Sequence, residues 1–241
     1  MKKGLVLILM LCISLGGFAA NAGKSDSVKV TNAGYNGNNT EDLLKRLDKD
    51  VLSKKPDVVI LMIGTNDMLN QRNKLPVKQY RENYQKLITL LKKKVKLFMM
   101  TIPPVNADYI LARQDPKIYA KVSPGALVDS ANAVIKELAA KNKCHLIDLN
   151  RVLEACGGST TAMESLFQNE ANSKINDGVH PTAIGYRVIG TAVYEAVSNV
   201  EPKAKNIVCF GDSITFGYKT KGQGTTSGEP YPAVLSRLYN Q

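Results

Sequence analysis

The chain has 241 residues, enough for one good-sized domain with a full core, and its 44% hydrophobic content is ordinary for a soluble globular protein. The formal charge of +11 is dispersed over helix-type faces such as Lys45, Arg46, Lys49, Lys54 and Lys55, with one denser run at Lys92–Lys94; without an aromatic-interleaved basic strip it reads as a solvated surface and argues against nucleic-acid binding. The two histidines, His145 and His180, have no clustered ligands around them, which argues against a metal site, and no cofactor motif is present.

Lys2 and Lys3 precede an apolar run from Leu5 to Ala20, followed by the small residues of Ala20-Asn21-Ala22. That order is a secretory signal peptide, expected over residues 1–22, and the run is short for a transmembrane anchor. The expectation is a secreted or periplasmic protein with no stable membrane insertion once the signal is removed. Residues 23–241 then form a single domain. Met10 and Leu11 are bulkier than the residues normally found before a lipidated cysteine, which weighs against lipidation of Cys12. Of the remaining cysteines, Cys144 and Cys156 are close enough in sequence to pair in an oxidising compartment, a pairing left open, whereas Cys209 reads as buried filler.

After the signal, apolar β-rich runs alternate with helix-period segments. Val28–Asn32 is a first strand, and Thr40 starts a helix with Leu43, Leu44, Leu47, Val51 and Leu52 on one face. Asp57–Ile63 is nearly continuous in apolar residues, the pattern of a strand buried on both faces. Pro76 opens a helix with the stripe Tyr80, Tyr84, Leu87, Ile88 and Leu91. Val95–Thr101 is a third strand, ended by Pro103-Pro104. A helix follows near Gly125–Lys141, then a fourth strand at Cys144–Leu149 and a helix over Pro181–Ser198. Glu201–Lys205 reads as a linker into a last strand, Ile207–Phe210, and a final helix from Pro232 to Tyr239. Alternation of this kind gives a parallel α/β sheet with helices on both faces.

Four short stretches end or follow strands, where open α/β sheets place their ligands: Gly211-Asp-Ser213, the turn Asn32–Thr40 containing Gly37, Gly64-Thr-Asn66-Asp67, and Asp177-Gly-Val-His180. Any one alone is more simply a cap, a turn or a packing residue. Together they supply a reaction. Ser213 is a nucleophile, His180 its base, and Asp177, three residues earlier, can hold the imidazole. The backbone amides of Ser213 and Gly37 and the side chain of Asn66 can bind a developing oxyanion.

These four blocks resemble those of the SGNH hydrolases, the GDSL esterase/lipase family, over nearly the whole chain after the signal. The resemblance implies a flavodoxin-like three-layer α/β/α sandwich with five parallel strands and a serine-esterase activity. The order differs: in the family the Gly-Asp-Ser block comes first, and here it comes last. Moving residues 205–241 in front of Ser27 restores the family order, which is the pattern of a circular permutation. It implies that Ile207–Phe210 inserts between Val28–Asn32 and Val58–Ile63. The expected substrate is a small-molecule or glycan ester with a short acyl group, such as O-acetyl on carbohydrate. A lipid or thioester acyl hydrolase and a non-catalytic carbohydrate-binding module are the alternatives. The segments Pro103–Ser123 and Glu154–Asn176 are expected to rim the pocket.

Overall fold

Val58–Met62 is five apolar residues in a row, and every one is buried. Neighbouring strand residues point to opposite faces, so such a strand must be covered on both sides. The computed structural model describes residues 27–241 and puts this strand, β2, in one parallel sheet with β1 (Lys29–Gly34), β3 (Lys96–Met100), β4 (His145–Ile147) and β5 (Asn206–Gly211). The order is β1-β5-β2-β3-β4. The strand made last is therefore internal, between β1 and β2: Ile207 is in register with Val30 on one side and Val58 on the other.

The helices are α1 (Thr40–Asp50), α2 (Thr65–Leu69), α3 (Val77–Leu91), α4 (Ala107–Arg113), α5 (Pro124–Asn142), α6 (Leu149–Ala155), α7 (Glu170–Ser173), α8 (Ala183–Val200), α9 (Ser213–Phe216) and α10 (Tyr231–Tyr239). One group, α1, α3 and α5, packs together, and α8 packs on α10 and α6, which gives the two helical layers around the sheet. Helix α1 begins where it does because Asn39 accepts from the Glu41 and Asp42 amides while the Asp42 side chain returns to the Asn39 amide, a reciprocal cap. Its Leu43 and Leu47 are buried against the core.

Two connections fix the ends of the sheet. The Asp57 carboxylate accepts from the Lys205 and Asn206 amides at 2.8 Å each, seating the start of β5. At the other end of the chain, the Val28 amide donates to Asn240 Oδ1 (2.8 Å) and Asn240 Nδ2 donates back to the Val28 carbonyl (3.0 Å). The last residues thus lie against the first described ones.

Several boundaries differ from expectation. The fourth strand shrinks to three residues, and β1 runs two residues further, to Gly34. Helix α8 starts after His180-Pro181-Thr182, because Thr182 caps it through the Gly185 amide. Cys144, Cys156 and Cys209 are free thiols, so the Cys144–Cys156 pairing left open is not formed. The expected signal, residues 1–22, and Cys12 lie outside the described residues. Among the described residues no helix is long and apolar enough to cross a membrane.

Candidate active site

Strand β5 ends in Gly211, and the chain then turns sharply into α9, whose first residue is Ser213. The turn leaves no room for a side chain at 211: a Cβ there would sit 2.3 Å from Thr215 Oγ1 and 2.4 Å from the Met62 carbonyl. Asp212 caps α9 by accepting from the Ile214 amide (2.9 Å), and so aims Ser213 outward.

Ser213 Oγ lies 2.9 Å from His180 Nε2, and His180 Nδ1 lies 2.9 Å from both carboxylate oxygens of Asp177. A ring nitrogen facing a carboxylate carries the proton, so Nδ1 donates to Asp177 and Nε2 accepts from the serine. Asp177 also accepts from the amides of Val179 (2.9 Å) and His180 (2.8 Å). Burial alone would raise its pKa, but the bonds from the His180 ring and from these amides outweigh burial and hold it at about 2. The histidine loop is held from behind by Gln168. Its amide donates to the His180 carbonyl (2.8 Å), and its Nε2 donates to the Pro181 (3.0 Å) and Tyr218 (3.2 Å) carbonyls. The Tyr218 ring packs on the imidazole with 4.7 Å between centroids.

Asn66, in the first turn of α2, donates through Nδ2 to the Asn38 carbonyl at 2.9 Å and makes a longer 3.5 Å contact with Asp212. Asn70 Nδ2 donates to Asn66 Oδ1 (3.0 Å), which fixes which end of the amide faces the serine turn. Gly37 has φ of 75°, the left-handed conformation that favours glycine, and Asn73 Nδ2 donates to its carbonyl at 2.6 Å. The glycine turn and the asparagine turn are joined again through Asp67, which accepts from the Thr40 amide and hydroxyl. Burial lifts Asp67 to about 6 against those two bonds, and it lifts Asp212 to about 7 against the Ile214 amide and the nearby His180.

Arg46 departs from the solvated position that its charge suggests. It was expected on a solvated face, but its side chain is only 14% exposed and pairs with Asp50 at 3.1 Å. The guanidinium also donates to the carbonyls of Ala33 (2.9 Å) and Gly211 (2.7 Å) and to Asn38 Oδ1 (2.6 Å). It lies between the Tyr35 and Phe210 rings, 4.5 and 4.6 Å from their centroids. Burial pulls its pKa down, with Asp50 opposing. The signal was present: Leu43, Arg46/Leu47 and Asp50 fall at the spacing of one helix face, and two of the flanking positions are apolar and buried.

Ser213, His180 and Asn66 open onto a cavity of about 460 Å³. Its rim includes Ile110, Arg113 and Gln114 from the segment expected to supply it, Pro103–Ser123. The other expected segment, Glu154–Asn176, does not line it. That segment lines an adjacent cavity of about 580 Å³ through Met163, Glu164 and Ser165. The remaining lining comes from Thr65, Leu69–Arg72, Val179 and Tyr218–Lys219.

Residues 15–188 match the GDSL-like lipase/acylhydrolase family model. The chain belongs to this family. The GDSL-like chain is 27% identical over 173 residues to an acetylxylan esterase of Geobacillus stearothermophilus, covering 68% of this chain and 70% of that one. Among solved structures it resembles a lipase/acylhydrolase from Enterococcus faecalis (25% identity, TM-score 0.54, covering 68% of this chain and 72% of that one). It also resembles the acetyl xylan esterase AlAXEase (28% identity, TM-score 0.54, covering 68% and 79%). This is a family of carboxylic ester hydrolases, and the five-stranded parallel α/β sheet of the GDSL-like chain matches its structures. The matched span stops at residue 188, short of β5 and Ser213.

Proposed function

We propose that the protein is a secreted, circularly permuted esterase that removes a short acyl group, such as an acetyl on carbohydrate, through an acyl-enzyme on Ser213. The observation that carries this reading is the continuous relay from Ser213 through His180 to Asp177, at 2.9 Å in both steps. Ser213 Oγ attacks the acyl carbon while His180 Nε2 takes its proton, and the Asp177 carboxylate stabilises the imidazolium that results. The amides of Ser213 and Gly37 and Asn66 Nδ2 bind the oxyanion. The histidine returns the proton to the leaving alcohol, and water then releases the acid by the same steps in reverse order.

A short acyl group is favoured by the cavity lining, whose aliphatic members are Leu69, Ile110 and Val179, too few to hold a long chain. The acetylxylan esterases among its relatives point the same way for the alcohol part. Permutation is favoured by three features: the last strand is internal to the sheet, the ends of the described chain are hydrogen-bonded together, and the family match stops before the serine block. Secretion rests on the basic, apolar, small-residue order of residues 1–22.

The test is hydrolysis of aryl acetate, aryl octanoate and acetylated oligosaccharides by the purified protein. Acetyl esters should be preferred. Ser213→Ala or His180→Ala should each lower kcat by on the order of 10⁵-fold or more with the fold retained by circular dichroism, and Asp177→Asn should lose less. Full activity in a folded Ser213→Ala protein would sink the assignment.

A further inference from the structure

We infer that the alcohol part of the ester is anionic: the crevice takes O-acetylated glycans whose sugars carry oxyanions, which Arg72, Arg113 and Lys219 hold beside Ser213. This deepens the esterase reading above and rests on it. The ionisable lining of the crevice consists of these three cations, His180, whose Nε2 accepts from Ser213, and the Asp177 carboxylate. Asp177 is buried and committed to His180 and to two backbone amides. The charge left facing a ligand is therefore positive.

The three cations come from three separate segments. Arg72 is on the turn after α2, Arg113 on the last turn of α4, and Lys219 on the loop after α9. All three are exposed, and none makes an ion pair among the described residues. Arg113 donates to the Asn176 carbonyl at 3.0 Å, which orients the guanidinium without neutralising it. The wall carrying Arg72 and Arg113 is tied together: the Gln71 amide donates to Gln114 Oε1 (2.9 Å) and the Asp115 amide donates to Gln71 Oε1 (3.3 Å). Two arginines held on one wall with a lysine on the next form a concave cationic site, where the field of like charges is focused rather than cancelled. Guanidinium forks match carboxylate and phosphate oxygens in pairs. A neutral glycan would be held chiefly on aromatic faces, and among the described residues the crevice offers only the Tyr218 phenol ring, which already packs against His180 and carries Lys219 Nζ 5.3 Å from its centroid. The volume of about 460 Å³ admits an acetyl group with a sugar ring.

The experiment compares three O-acetylated oligosaccharides of equal length: one of uronic acids, one bearing phosphate, and one neutral. With the full chain, kcat/KM for an anionic ester should exceed that for the neutral one by roughly tenfold at low salt, the sum expected of a few exposed charge contacts. The advantage should shrink as salt is raised, because the contacts are open to solvent. Whichever anion is preferred identifies the oxyanion. In Arg72→Gln, Arg113→Gln and Lys219→Gln the ratio of anionic to neutral kcat/KM should fall, and each is assayed singly so that one unstable variant does not decide the matter. Calorimetry on Ser213→Ala with the same oligosaccharides reads binding apart from turnover. Salt-sensitive binding of the anionic oligosaccharides without hydrolysis by the wild type would support the cationic site and remove the esterase reading instead. Equal affinity for all three, or a wild-type ratio near one that salt does not move, overturns the inference.

Discussion

The Arg46 guanidinium donates to the carbonyl of Gly211, 2.7 Å away and 165 positions along the chain. The same fork reaches Ala33 at the end of β1, Asn38 in the glycine turn and Asp50 on its own helix. One side chain thereby ties the Gly37 turn to the residue two before Ser213. Arg46→Ala leaves the Asp50 carboxylate unpaired and two backbone carbonyls without this donor, and should cost roughly 3 kcal/mol of stability. Arg46→Lys should recover less than half of that, because a point charge cannot serve acceptors lying in different directions. Urea unfolding measures both, and a loss under about 1 kcal/mol for the alanine variant would contradict the clamp.

Asp212 gives stability a particular pH dependence. Burial raises its pKa to about 7, while an aspartate in the unfolded chain titrates near 4. Between those values the folded chain binds the proton more tightly than the unfolded one. The contribution of Asp212 is therefore complete below about pH 4 and is lost as pH rises toward 7. Asp67, raised to about 6, acts in the same direction over a narrower window. Asp177, held at about 2, acts in the opposite sense, and its contribution is lost as pH falls below about 4. Asp212→Asn mimics the neutral acid and should flatten the decline between pH 4 and 7. Unfolding midpoints of the two proteins at pH 4, 5.5 and 7 should converge at the acid end, with the variant gaining relative to wild type as pH rises. Parallel curves would mean that Asp212 is ionised throughout.

The sheet and the serine turn were legible in the sequence because β2 and the Ile207–Phe210 part of β5 are uninterrupted apolar runs, and only a strand buried on both faces tolerates that. The single-turn helices α2 and α9 were not, since five and four residues cannot display a 3.6-residue period. The Asp-x-x-His spacing foretold the Asp177–His180 contact, which is local. The support of that loop by Gln168 was hidden, because it depends on a chain crossing that places residue 168 behind residues 180 and 218. The rim was half legible for the same reason: Arg113 lies in a segment long enough to be noticed, whereas Arg72 and Lys219 sit in short turns that only the tertiary fold brings to the crevice. The burial of Arg46 is not legible from its charge; its position beside Leu43 and Leu47 on the buried face of α1 decides it.

Under the proposed mechanism Asn66 acts on the transition state rather than on substrate binding. Its amide is oriented by Asn38 and Asn70 before any substrate arrives, so a hydrogen bond to an oxyanion requires little rearrangement. Asn66→Ala should lower kcat by roughly a hundredfold or more and change KM far less. Steady-state kinetics on an aryl acetate measure the split. A change confined to KM would make Asn66 a ground-state binding residue and leave the oxyanion to the two backbone amides.

The position of β5 makes the strongest demand on the chain as a whole. It pairs with β1 along six positions and with β2 along five, so neither neighbour can complete the sheet without it. A chain truncated before Lys205 would leave β1 and β2 with unpaired inner edges and should aggregate or remain unfolded, read out by circular dichroism and sedimentation. The cut between Pro202 and Lys205 is a different matter. Val28 and Asn240 already exchange hydrogen bonds, so joining Gln241 to Ser27 spans almost no distance. Opening the chain at Glu201–Lys205 breaks a turn closed by the Ala204 amide donating to the Glu201 carbonyl at 3.1 Å and removes the buried Ala204, but it breaks no strand pairing, which begins at Asn206. A gene running from Lys205 to Gln241 and then from Ser27 to Pro202 should therefore yield a protein that folds and hydrolyses the same esters, with kcat/KM within about threefold of the original, since Ser213, His180 and Asp177 keep their neighbours. A re-ordered chain that folds but has lost the activity would show that the present connectivity itself shapes the site.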